Sequence, residues 1–192
     1  MLFIFQNILI VVSMLLLAGI PLASFFLDVS IEVRSMLFML SFASVFVLMI
    51  IRPLADIFNE QLWLRKLVIL RKGFGIFSAS IIVGFMIDAL ITPGSTYIAS
   101  MFTGKYFSLD RYVLFAHLGD ITGVILLLTS NRFSQKYLKQ NWKRIQRLSY
   151  VYFFSGGIYE AFALESMFAL YAILLVTNLT VLAWVVKIWR KG

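Results

Sequence analysis

Six apolar runs divide this chain, with short polar segments between them. They cover Phe3–Leu27, Ser35–Ile51, Gly73–Thr92, Tyr112–Ser130, Leu148–Leu164 and Ser166–Val186. Each is close to the roughly 20 residues a helix needs to cross a hydrocarbon core about 30 Å thick. The hydrophobic positions are continuous and lack the period-2 alternation of barrel strands. In that medium the backbone must satisfy its own N–H and C=O groups, so the pattern predicts helices. The expected fold class is all-α: a polytopic membrane protein, one six-transmembrane-helix bundle over residues 1–192. The first run has no basic flank and is long for the core of a signal peptide, so it reads as a retained helix.

The segments between the runs differ in character. Asp28–Arg34 reads as a tight turn. In Arg52–Lys72, Leu54, Ile57, Phe58 and Leu62 recur at helical spacing among Asp56, Asn59, Glu60 and Arg65. That pattern predicts an amphipathic helix lying in the membrane interface. Pro93–Arg111 contains Pro93-Gly94 and places Tyr97 and Tyr106 near the surface. Asn131–Arg147 is strongly basic. It is suited to anionic lipid and equally to docking a partner or a soluble cofactor.

Composition agrees with a membrane chain. Hydrophobic residues make up 61% and charged residues 14%, against about 25% charged in soluble domains. Cysteine is absent, which excludes disulfides, thiolate metal sites and iron–sulfur clusters. The net charge of +8 follows from topology and gives no reason to expect nucleic-acid binding. Fourteen of the seventeen basic residues fall in the second segment, the fourth segment and the C-terminal tail. Arg34, Lys105 and Arg111 are the three on the other side. This bias predicts both termini in the cytoplasm. Trp63, Trp142, Trp184 and Trp189 all fall at the same basic boundary, as an aromatic belt would.

Few polar residues lie inside the runs, and such residues are functional candidates. They are Asp88 in the third run, His117 and Asp120 in the fourth, and Glu160 and Glu165 at the outer end of the fifth. His117 and Asp120 are three residues apart and share a helix face. Asp88, His117, Asp120 and Glu160 could together hold a hard or borderline metal or relay protons. They could equally form an outer mouth whose acids pair with Arg111 or Lys105. Gly119-x-x-x-Gly123, Ser80 with Gly84, and Ser155-Gly156-Gly157 mark faces where helices can approach closely. They could also leave room for a flat cofactor between the third and fifth runs. No Gly-rich nucleotide loop, P-loop or zincin helix is present.

Three stretches within residues 52–160 carry a family likeness. They are Leu70-Arg71-Lys72-Gly73-Phe74-Gly75, Leu127-Leu128-Thr129-Ser130 and Trp142-Lys143-Arg144-Ile145-Gln146-Arg147-Leu148-Ser149-Tyr150. The last is similar to a Trp-Lys-x-Leu-His-Arg-Leu-x-Tyr signature. The chain thus resembles the ferric reductase-like transmembrane domain, and within it the small haem-binding membrane subunits that serve periplasmic methionine sulfoxide reductase. The resemblance implies six helices, internal termini, b-type haem held by axial histidines, and electron transfer to a periplasmic or membrane redox partner. At the positions where that family has its ligand histidines, this chain has Phe85, Gln146 and Tyr159. Its one imidazole, His117, matches no ligand position.

Low-spin haem needs two axial donors. The pattern therefore predicts a haem-free descendant of the scaffold, whose substituted side chains fill or bond across the vacated space. It would sit in the cell membrane as a multi-pass partner or adaptor subunit of a redox system. Two alternatives stand beside this reading. One is an electron-transfer subunit with atypical haem ligation, by His117 with Met86 or by Tyr159, or with flavin or quinone near the basic side. The other is a proton- or metal-handling protein using Asp88, His117, Asp120 and Glu160.

Overall fold

A computed structural model describes residues 2–27, 29–92, 97, 99, 103 and 107–190. Among the described residues the chain is helical and has no strand. The helices are α1 (Leu2–Phe26), α2 (Ile31–Ile57), α3 (Leu62–Leu67), α4 (Arg71–Ile91), α5 (Val113–Thr129), α6 (Arg132–Leu138), α7 (Gln140–Ile145), α8 (Leu148–Ile158) and α9 (Met167–Trp189). A single 3₁₀ turn at Val68–Leu70 joins α3 to α4, and a π-turn at Tyr159–Ala163 extends α8. Four stretches are long and apolar enough to cross a membrane: α1, α2, Leu62–Ile91 and α9. The fourth run forms the shorter α5, of 17 residues. The fifth forms the 11 residues of α8 and the five of its π-turn.

Local chemistry sets the ends. Ser30 caps α2 by accepting from the Val33 N–H at 3.5 Å, and Ser166 caps α9 by accepting from Ala169 at 3.4 Å. Asn131 caps α6 through Ser134 N at 2.7 Å. Lys139 (φ 47°) breaks α6 from α7, and Glu165 (φ 53°) makes the corner between the π-turn and α9. Both lie in the left-handed region that side chains other than glycine seldom adopt.

The second polar segment departs from expectation. Its first half is the end of α2, which continues six residues past Ile51 to Ile57. Pro53 is inside this helix, buried, with Ala55 buried beside it. Packing outweighs the hydrogen bond that proline removes, as is common in membrane helices. Only Leu62–Leu67 forms a separate helix. The basic fourth segment is likewise helical, as α6 and α7. Phe133 and Tyr137 stand exposed on α6, stacked at 6.2 Å.

Contacts between helices fix their directions. Gly73 meets Gln6 and Leu9, while Gly84 meets Leu16 and Ile20, so α1 runs parallel to α4. Ser41 meets Ser78 and Arg34 meets Asp88, so α2 runs antiparallel to α4. Gly119 faces Ser155 and Gly123 faces Tyr152, so α5 and α8 are antiparallel. At the far end of α9, Arg190 donates to the Asp56 and Ile57 carbonyls at 3.1 and 2.9 Å. A cation there also complements the negative end of the α2 dipole. The start of α1 and the end of α9 therefore share the end of the bundle that carries Arg71, Arg52 and Trp142.

Two buried groups make the core. The larger joins Phe42, Val45, Leu48 and Met49 of α2 to Leu126, Tyr152, Phe153, Ala172 and Val176. The smaller packs Ile20 of α1 against Phe77, Ile81 and Phe85 of α4.

Candidate functional site

Three hydroxyl groups meet inside the bundle. Ser41 on α2 and Ser78 on α4 place their Oγ atoms 2.7 Å apart, and Ser41 Oγ donates to Ser78 O at 3.2 Å. Tyr152 on α8 brings its hydroxyl to 2.9 Å from Ser78 Oγ. All three side chains are buried. One proton order gives each donor an acceptor. Ser41 donates to Ser78 O, Ser78 donates to Ser41 Oγ, and Tyr152 donates to Ser78 Oγ. The network thus satisfies its hydroxyls and ties three helices together without water.

The Tyr152 ring fills the space beside α5. A Cβ placed on Gly123 would stand 3.2 Å from Tyr152 Cε2. The other small residues admit neighbouring side chains in the same way. Ile20 lies over Gly84, and Ile173 and Phe42 lie over Gly157. At Gly156, by contrast, no atom lies within 4 Å of where a Cβ would stand.

The positions of the implied haem ligands have separate surroundings. Phe85 stacks on Phe38 at 4.6 Å and belongs to the core group shared with α1. It lies 14 residues into α4, about 21 Å along the axis from Arg71. Gln146 is at the basic end, where Nε2 donates to Thr129 Oγ1 at 3.4 Å and Trp142 Nε1 donates to Thr129 O at 2.9 Å. Tyr159 opens the π-turn at the opposite end of α8, half-buried. Phe85 thus belongs to an aromatic stack, Gln146 to a hydrogen bond at the basic end, and Tyr159 to a turn. Phe85 has no donor atom, and Gln146 and Tyr159 flank opposite ends of α8. These residues, with Tyr152 filling the interior between α5 and α8, do not fit a haem.

The polar candidates form two pairs. Asp88 is buried and pairs with Arg34 of α2, Oδ2 to Nη1 at 3.2 Å. Thr92 Oγ1 donates to the Asp88 backbone carbonyl at 2.8 Å and lies 3.4 Å from its Oδ1. The expected partner Lys105 lies outside the described residues, as does the Arg111 side chain. His117 Nδ1 lies 3.6 Å from Asp120 Oδ2, and Tyr97 donates to the same oxygen at 3.2 Å. Of the expected surface tyrosines, Tyr97 thus turns to Asp120, while Tyr106 and Pro93-Gly94 lie outside the described residues. Glu160 sits half-buried in the π-turn, and Glu165 is exposed at the corner that follows. Among the described residues, no three His, Cys, Asp or Glu side chains are gathered so as to hold a metal ion.

Sequence reasoning missed Ser41, Ser78 and Tyr152. Serines occur in most of the apolar runs, and nothing in the order of residues tells which ones face a hydroxyl on another helix. Comparison with family models, with curated proteins and with solved structures gives no match for this chain.

Proposed function

We propose that this chain is a six-span integral subunit of the cell membrane, with both termini cytoplasmic, that binds no haem. It serves as a partner or adaptor within a membrane redox system. The observation that supports this reading is the packing of Tyr152, which bonds to Ser78 of α4 and stands against Gly123 of α5. A subunit without an internal redox centre acts through its surfaces. The basic α6–α7 segment, with Phe133 and Tyr137 outward, is one such surface. The resemblance of residues 52–160 to the ferric reductase-like domain is what connects those surfaces to a redox system. Six spans are supported by the directions of α1, α2, α4 and α9 relative to one another and by the antiparallel α5 and α8, and the cytoplasmic termini by the basic bias. Cross-linking in native membranes tests the reading. Stoichiometric links from residues 131–147 to an oxidoreductase subunit are expected. Links to no redox protein contradict it.

A second reading rests on the His117–Asp120–Tyr97 group. Tyr97 donates to Asp120, and His117 Nδ1 lies 3.6 Å from the same carboxylate, which gathers three protonable groups at one end of α5. Proton flux in liposomes that is lost in His117→Ala and Asp120→Ala would favour it. Absence of flux removes it.

A further inference from the structure

Asn178 is the twelfth of the 23 residues of α9, about 17 Å from either end of the helix. That places an amide near the middle of a membrane-crossing helix, and the residue is exposed. Among the described residues its only hydrogen bond runs from Nδ2 to Leu174 O at 2.8 Å. Among the described residues the carbonyl oxygen and the second N–H make no hydrogen bond. The neighbouring polar residues differ. Thr177 and Thr180 return their hydroxyl protons to Ile173 O and Val176 O at 2.8 and 2.7 Å, and need no partner. An amide left half-satisfied in hydrocarbon is costly.

α9 has two faces. Ala169, Ala172, Val176 and Ala183 are buried against the bundle. On the outward side Tyr171, Leu175, Asn178, Leu182 and Val185 follow one another at intervals of four, three, four and three, and all are exposed. That is the spacing of a helix–helix seam, with one polar residue at its centre. Beside the seam opens a groove of about 360 Å³ between α9 and Phe46 of α2, with Tyr171, Leu175 and Asn178 in its wall.

We propose that two copies of this chain pair through α9, with their Asn178 amides hydrogen-bonded to each other across a two-fold axis along the membrane normal. An amide carries one acceptor and one spare donor, so it is complementary to itself, as an isologous interface requires. Two copies inserted with the same topology bring residue 178 to the same depth, whichever way the chain faces. A different partner would have to supply its own polar group at that depth. The groove beside the seam receives apolar side chains of the second α9. This inference rests on α9 and the groove beside it and is independent of any redox role.

The absence of native cysteine makes the test clean. Single cysteines placed along residues 171–185 and oxidised in native membranes should give dimers at 171, 175, 178, 182 and 185. Positions 172, 176 and 183, which face the bundle, should give none. Single-molecule photobleaching in lipid vesicles at serial dilution should show wild-type dimers. Asn178→Leu should raise the dissociation constant about 5–30-fold, the range for a polar pair between membrane helices. Asn178→Gln should restore most of the affinity, and at dilutions where all are monomeric the thermal melting of both variants should match wild type, because the residue is exposed in the single chain. Wild-type protein monomeric at every dilution, an unchanged constant in Asn178→Leu, or cross-links without this periodicity would overturn the proposal.

Discussion

Tyr152 Oη lies 2.9 Å from Ser78 Oγ, joining the interior of α8 to that of α4. The proton order makes the two ends of this bond unequal. Tyr152→Phe removes a donor but leaves Ser78 donating to Ser41, and should cost roughly 0.5–1 kcal/mol. Ser78→Ala strands the Tyr152 hydroxyl among apolar groups and should cost more, about 1–3 kcal/mol. Unfolding of the two variants in bicelles measures the difference. A larger loss in Tyr152→Phe would reverse the proton order.

Gly123 is held to glycine by the same tyrosine. The ring 3.2 Å from the added Cβ cannot slide without stretching its bond to Ser78. Gly123→Ala should cost about 1–3 kcal/mol, as overpacking does. Combined with Ser78→Ala, the loss should be less than the sum, because the freed ring can then move. Additive losses in the same unfolding assay would show that the ring does not couple them.

The Arg34–Asp88 pair should behave as a partly buried ion pair. Side-chain exposure is 36% for Arg34 and 4% for Asp88. Arg34→Ala leaves a carboxylate buried, and the expected loss is roughly 1–3 kcal/mol. That is below the ~3–5 kcal/mol of a fully buried pair, because Arg34 is open to screening. Replacing both, as Arg34→Met with Asp88→Leu, should recover most of it. Thermal denaturation in detergent distinguishes these outcomes. A double variant weaker than Arg34→Ala would contradict the assignment.

Topology is testable with cysteines in a chain that has none. Leu62, Leu109 and Leu164 are exposed. In intact cells a membrane-impermeant maleimide should label Leu109→Cys and Leu164→Cys and spare Leu62→Cys until the cells are opened. Labelling of all three, or the reverse pattern, would refute the proposed six spans with cytoplasmic termini.

Much of this fold is legible in the hydrophobic pattern, because a helix in hydrocarbon is dictated by length and apolarity alone. α1, α4 and α9 lie where their runs do. α2 overran its run because Pro53 is buried in a packed helix and Arg52 pairs with Asp56 at 3.9 Å, neither of which hydropathy reports. The pairing of His117 with Asp120 was readable from spacing on one helix. The pairing of Asp88 with Arg34 was not, since it depends on how α2 and α4 are rotated. The same holds for Ser41, Ser78 and Tyr152, which only a knowledge of helix order could bring together. The residues placed by a family likeness are Phe85, in a ring stack, Gln146, bonded to Thr129, and Tyr159, at the start of the π-turn, and the stack and the bond depend on which faces of α2, α4 and α5 turn inward.

The most direct measurement is the absorption spectrum of the protein purified from haem-supplemented cells. With Tyr152 closing the interior and no imidazole at residues 85, 146 or 159, the spectrum should show aromatic absorbance and no Soret band. A Soret band at one haem per chain, shifting on reduction, would contradict the account.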